Sequence, residues 1–249
     1  METILKQARE VGTSAGVLLP RSWLNKQVVV TLFQPSKEKM AQDIMSFLFK
    51  EKLNEEAKGI YLFGSYSRGD FDFNSDIDIL VITKTINKLV NYNNYEILFV
   101  SEKSFLKNIS NSLIYMSILK EVEVILNEEL ISKYKIGKIK LNTKKILQEI
   151  DRMLKINKEN IKMYRENNLN IPDGVAYSAV LRLRELYLIK CIFHNKSYQK
   201  KDFLELAGDK PYSAYLRVKR NEREFNSISS EELAKIIKLS EKWLKELKG

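Results

Sequence analysis

The sequence predicts an α+β fold in three parts: a short β segment over residues 1–36, a small mixed-sheet core over 37–139, and an α-helical bundle over 140–249. Three observations carry this expectation. Short runs rich in Val, Leu and Phe fill the first part around glycine and proline. In the second part a buried-looking strand runs into a glycine turn and helix, and two more strand-like runs follow. In the third part strand-like alternation disappears, and apolar residues recur at helical spacing.

In the first part the strand candidates are ILKQAREVG, GVLLP and QVVVTLF, the last closing at Gln34-Pro35-Ser36. A segment of fewer than ~40 residues normally needs disulfides, a metal or a partner to fold. Here only the rest of the protein or a second chain is on offer.

The second part opens with KEKMAQDIMSFLFKEKLNEEAK, whose Met40, Ile44, Phe47 and Leu48 fall at helical spacing. GIYLFGS then reads as a strand entering a turn, with SDIDILVIT and NYEILFVS as the next strands and SLIYMSILKEVEVILNEEL as a helix followed by a short strand. In the third part TKKILQEIDRMLKINKENIKMY, SAVLRLRELYLIKCIF and EELAKIIKLSEKWLKEL each carry an apolar stripe. NLNIPD breaks the first of these helices from the second, and GDKPYS separates later ones.

Composition narrows the chemistry. Cys191 is the only cysteine and His194 the only histidine, so an intrachain disulfide is excluded and a Cys/His zinc site lacks ligands. Any metal must sit on oxygen. Cys191 reads as a buried thiol and His194 as structural. No run reaches the ~18–20 apolar residues that span a bilayer, and no signal peptide opens the chain, so a soluble cytoplasmic protein with no membrane partner is expected. The net charge of +10 is uneven: residues 1–132 hold 15 Lys and Arg against 17 Asp and Glu, whereas the remainder hold 27 against 15. A basic second half can attract nucleic acid or an acidic partner, or can simply be a solvated, Lys-rich helical surface.

The stretch that carries chemistry is GIYLFGSYSRGDFDFNSDIDILVI, residues 59–82. Its first half delivers Gly64-Ser65 from a strand into a helix start, where glycine lets the backbone approach an anion and free amides face it. Its second half sets Asp76 and Asp78 two apart on a strand, so both carboxylates share a face while Ile77 and Ile79 enter the core. Two neighbouring carboxylates repel. Hard oxygen ligands of this kind suit Mg²⁺ or Mn²⁺.

GS, then RG, then SDIDILV resembles the signature of the DNA polymerase β nucleotidyltransferase superfamily, particularly its minimal nucleotidyltransferases. The resemblance implies that Gly64 and Ser65 hold nucleotide phosphates and that Asp76 and Asp78 ligate two metal ions. It further implies a third carboxylate on a neighbouring strand. Glu96 fits that place: it opens the apolar run Glu96-Ile97-Leu98-Phe99-Val100, where an acid is out of place unless it binds metal or lies solvated at a strand end. Asp70, Asp72 and Glu102 are the fallback acids. Arg68 either contacts phosphate over the turn or pairs with Asp70 or Asp72. The implied reaction moves a nucleoside monophosphate from an NTP, ATP first among them, to a hydroxyl of a protein, nucleic acid or small molecule, releasing pyrophosphate.

The flanks carry shorter likenesses. Gly12-Thr13-Ser14-Ala15 and Leu19-Pro20-Arg21-Ser22-Trp23 resemble the swapped-hairpin, AbrB-like DNA-binding modules, which implies a homodimer and possible nucleic-acid binding. AYSAVLRLRELYLIKCIFHNKSY and PYSAYLRVKRN are similar to helical domains, including HEPN-type ones, that accompany minimal nucleotidyltransferases. The Arg184 and His194 spacing is too wide for the ribonuclease members of that group. Arg182, Arg184, Arg217, Lys219 and Arg220 could face substrate as a basic cluster or lie solvated. A regulatory DNA-binding or antitoxin-like protein is the alternative function.

Overall fold

A computed structural model describes residues 4, 6, 8–30, 35–72, 75–136 and 139–248. The chain forms two compact units, Met1–Asn54 with Phe71–Ser75, and Glu55–Asp70 with Asp76–Gly249.

The first unit begins with an antiparallel hairpin of β1 (Arg9–Val11) and β2 (Ser14–Gly16). Gly12 sits at its turn with φ 58°, the left-handed conformation that two-residue hairpin turns demand. Two of the expected strands differ. Val17–Pro20 and the described part of QVVVTLF, Gln27–Val30, are not strands, and the rest of that run lies outside the described residues. A strand needs a neighbour for its backbone N–H and C=O groups, and no described strand lies beside either. Val29 and Val30 are left 91% and 72% exposed. Helix α1 (Lys37–Lys50) follows, its Ser36 hydroxyl accepting the Lys39 amide at 3.2 Å, which caps the helix start. Met40, Ile44, Phe47 and Leu48 are its buried face, as the spacing requires.

The second unit is built on a five-stranded mixed sheet. Strands β3 (Ala57–Phe63), β4 (Ile77–Thr83), β5 (Lys88–Tyr92), β6 (Tyr95–Ser101) and β7 (Glu123–Leu126) lie in the order β5-β6-β4-β3-β7. Only β4 and β6 run parallel. The β5–β6 hairpin, turning at Asn93 with φ 53°, adds an antiparallel strand beyond those predicted. Between the strands lie α2 (Gly64–Arg68), α3 (Glu102–Asn108) and α4 (Leu113–Glu121), and α5 (Glu128–Ile136) follows β7. Side chains alternate along β4: Ile77, Ile79 and Val81 take one face and Asp78, Leu80 and Ile82 the other, and all of these but Asp78 are fully buried.

The helical part comprises α6 (Lys144–Glu166), α7 (Asp173–Phe193), α8 (Lys200–Ala207), α9 (Asp209–Lys219) and α10 (Ser230–Lys248). Asn168, at φ 52°, and Pro172 interrupt the chain between α6 and α7, as the sequence indicates. The expected break at GDKPYS is confined to Gly208, because Pro211 falls in the first turn of α9, where its missing N–H is no loss. One apolar core runs from Tyr61, Leu80 and Ile82 of the sheet through Met116 and Leu119 to Leu154, Leu183, Ile189 and Leu244 of the helices. Among the described residues no helix is long and apolar enough to cross a membrane.

Candidate active site

The turn after β3 is set by Gly64. Its φ of 74° is left-handed, and a Cβ added there would collide with the carboxylate of Asp78. No L side chain satisfies both conditions, so the glycine brings the backbone against the acid. Ser65 follows, half-buried, with no partner for its hydroxyl among the described residues.

Asp76 immediately precedes β4 and is exposed, while Asp78 lies on the strand. The parallel pairing of β4 and β6 puts Asp78 directly beside Glu96, and β5 adds Asn91 opposite Glu96. Since paired residues share a face, Asp78 and Glu96 project together from neighbouring strands ~4.8 Å apart. Glu96 is therefore not at a free edge: β6 is paired on both sides. Burial pushes the Asp78 carboxyl up to about 7, and the charges of Glu96 and Asp76 add to that rise against the opposing fields of Lys219 and Arg68.

The neighbouring acids behave differently. Asp70 pairs with Arg68 at 3.2 Å and Glu121 with Arg68 at 2.7 Å, whereas Glu102 lies past the opposite end of β6 from Glu96, away from the site, and pairs with Lys58 and the Tyr134 hydroxyl. Asp72 accepts from Ser75. Asp76, Asp78 and Glu96 have no hydrogen bond or ion pair among the described residues. A partly buried carboxylate without a hydrogen-bond partner is costly, and that cost falls on Asp78 and Glu96, Asp76 being exposed. As the side chains stand, no three acids among the described residues converge into a finished metal cage. The donor set nonetheless fits a hard divalent ion, being all carboxylate oxygen.

Arg68, expected over the turn, is held by Asp70 and Glu121 in this arrangement. Glu121 lies outside the recognised motif. It terminates α4, where one oxygen accepts the Gly64 amide at 3.1 Å and the other takes the Arg68 guanidinium. Tyr198, another residue with no sequence signal, lies with its ring 5.0 Å from the Arg68 guanidinium carbon. Only the long-range packing of α4 and the α7–α8 connection against α2 brings these two in.

Three of the five candidate cluster residues are held by local partners. Arg182 pairs with Glu185 and Arg217 with Asp173, while Arg184 packs under tyrosines and reaches the Tyr215 hydroxyl at 3.1 Å. Lys219 and Arg220 are exposed. Cys191 is buried, which raises its thiol. His194 is exposed at the end of α7, about 15 Å along the helix axis from Arg184.

The family model described as the nucleotidyltransferase domain matches residues 43–169, slightly more than half of the chain. The protein belongs to the nucleotidyltransferase-domain family, and the match extends from within α1 to just past the end of α6. A Methanocaldococcus jannaschii relative named "Putative protein adenylyltransferase" is 42% identical over 45 residues, which is 18% of this chain and 41% of the relative. The aligned part is thus under half of that protein. A solved nucleotidyltransferase-like protein from Exiguobacterium sibiricum aligns over 83% of this chain and 75% of its own at 13% identity, with a TM-score of 0.35.

Proposed function

We propose that this chain transfers a nucleoside monophosphate from an NTP to a hydroxyl acceptor, with Asp76, Asp78 and Glu96 holding Mg²⁺ or Mn²⁺. One observation carries the reading: Asp76, Asp78 and Glu96 make no side-chain hydrogen bond or ion pair among the described residues, Asp78 lying against the Gly64 turn, whereas the nearby Asp70 and Glu121 are both paired with Arg68. When bound, two such ions supply charge neutralisation at the transferred phosphate and lower the pKa of the acceptor hydroxyl.

The residues of this chain do the remainder. Gly64 admits phosphate close to the backbone, and the Ser65 hydroxyl donates to it. Arg68 supplies positive charge at the end of the same short helix. Glu96, next to Asp78, accepts the acceptor's proton as the new phosphate–oxygen bond forms and pyrophosphate departs. Catalysis is positional and electrostatic, with no covalent enzyme intermediate.

ATP as donor and a protein hydroxyl as acceptor are favoured by the name of the archaeal relative. The N-terminal segment, residues 1–36, is assigned to homodimerisation, supported by the exposed Leu18, Leu24, Val29 and Val30 that follow the hairpin. The AbrB-like string allows that dimer to touch nucleic acid.

The test incubates the protein with Mg²⁺, each labelled NTP and cell extract, and identifies the labelled product. Asp76→Ala and Asp78→Ala should each abolish labelling and calorimetric binding of Mn²⁺ while circular dichroism stays native. Wild-type turnover in either variant overturns the site.

A further inference from the structure

The five-residue helix α2 is too short to hold itself together, because helix initiation is unfavourable and needs several turns to recover. The structure supplies outside support at both of its ends. Glu121 Oε1 accepts the amide of Gly64 at 3.1 Å, and Glu121 Oε2 accepts from Arg68 Nη1 at 2.7 Å. The Ser67 hydroxyl donates to the Glu121 carbonyl. One residue of α4 thus ties the first, fourth and fifth residues of α2.

The Arg68 guanidinium is constrained on every side. Its Nε donates to Asp70 Oδ2 at 3.2 Å, and its Nη2 lies 3.2 Å from Asp70 Oδ1. Its flat face rests 5.0 Å from the centre of the Tyr198 ring, within the range of a cation–π contact. Arg184 approaches the same ring at 5.6 Å and is itself fixed by the Tyr215 hydroxyl, while Tyr215 stacks on Tyr177 at 5.2 Å. Lys200 reaches the Asp70 carbonyl at 3.4 Å. The chain of contacts runs from the turn, through Arg68 and Tyr198, into α7 and α9.

We propose that Glu121 and Tyr198 are positioning residues for nucleotide binding: Glu121 fixes the Gly64 turn and Arg68 relative to one another, and Tyr198 anchors Arg68 from the helical part. The bundle is then a structural component of the nucleotide site rather than an attachment to it. Two facts favour a strut over a temporary occupant of the phosphate position. The Glu121 side chain is only 9% exposed, and its backbone carbonyl is held as well. The proposal rests on the nucleotidyltransferase reading above, and binding is measured apart from transfer so that the two can fail separately.

The experiment is calorimetric titration of Mg·ATP into wild type, Glu121→Gln, Glu121→Ala, Arg68→Gln and Glu121→Gln/Arg68→Gln, with melting temperatures recorded in parallel. Glu121→Gln keeps an acceptor for Gly64 but loses the charge, and should weaken binding about tenfold; Glu121→Ala loses both and should weaken it about 10²-fold, the scale of a removed charge-assisted hydrogen bond. The double variant should bind like Arg68→Gln alone, the non-additivity of one shared interaction. Tyr198→Leu should weaken binding and Tyr198→Phe, which retains the ring face, should restore it.

Unchanged affinity in folded Glu121→Ala, or an additive double variant, overturns the proposal. Tighter binding by Glu121→Ala also overturns it, since Glu121 would then be competing with phosphate. If Glu121→Ala does not fold, the charge-only change and the Tyr198 pair decide the matter. Wild type that binds Mg·ATP without transferring it sinks the proposed reaction and leaves the positioning claim standing; wild type that binds no nucleotide sinks both.

Discussion

Asp78 and Glu96 face the same side of the sheet from directly paired positions on parallel strands, and the charge of Glu96 is one reason the Asp78 carboxyl rises to about 7. Neither side chain makes a hydrogen bond or close ion pair among the described residues, although Lys219 and Arg68 act on Asp78 from further off. The pair therefore carries an unfavourable interaction that folding alone does not require.

If Glu96 completes a metal site and takes the acceptor's proton, Glu96→Gln should keep nucleotide affinity, which rests on Gly64, Ser65 and the two aspartates. Its transfer rate at saturating nucleotide should fall ~10²-fold or more, the scale of losing a positioned general base. Equal turnover in the variant would return Glu96 to a solvated role. The fallback acids are poor replacements, because Asp70 is already paired with Arg68 and Glu102 lies past the opposite end of β6.

Gly64→Ala is expected to damage binding through the backbone. An alanine in this left-handed position costs roughly 1–2 kcal/mol, and its methyl group would meet the Asp78 carboxylate. Urea denaturation should show at least that loss, and calorimetry should show weakened Mn²⁺ binding as Asp78 is displaced. A variant with native metal affinity would mean that the turn does not position Asp78.

Deleting residues 1–36 should convert a dimer into a monomer that still binds Mg·ATP. The exposed Leu18, Leu24, Val29 and Val30 supply apolar surface that a second copy can cover. Light scattering on the full chain is the deciding measurement, and a monomer there would remove the swapped-hairpin reading.

Asp173 provides a pH prediction away from the site. Burial works to raise its carboxyl, but the Arg217 guanidinium at 2.6 Å and the amide of Phe225 prevail and hold it below the ordinary value of 3.8. A depressed acid stabilises the fold above its unfolded pKa, and that contribution is lost as pH falls through the folded value. Asp173→Asn should cost ~3–5 kcal/mol at neutral pH, because Arg217 would lose its buried partner. As pH falls below the ordinary carboxylate value of 3.8, the variant's stability should fall less steeply than wild type's, as measured by urea unfolding.

Within the sequence alone, local chemistry determined a great deal. Gly64-Ser65 entering a helix, Asp76 and Asp78 at two-residue spacing, and the stripe Met40, Ile44, Phe47, Leu48 all follow from backbone periods that need no distant partner. Asn168 and Pro172 likewise mark the break between α6 and α7 by their own backbone preferences. Glu96 could be suspected because an acid opened an apolar run, but its place beside Asp78 depends on which strands pair and in what register. Glu121 and Tyr198 carried no signal at all, since an acid ending a helix and a tyrosine in a basic region are ordinary there. Only tertiary packing brings them, 53 and 130 residues further along the chain than Arg68, against its guanidinium. The same packing spends Arg182, Arg184 and Arg217 on local partners, because a buried guanidinium must find an acceptor or an aromatic face inside the fold before it can serve a ligand.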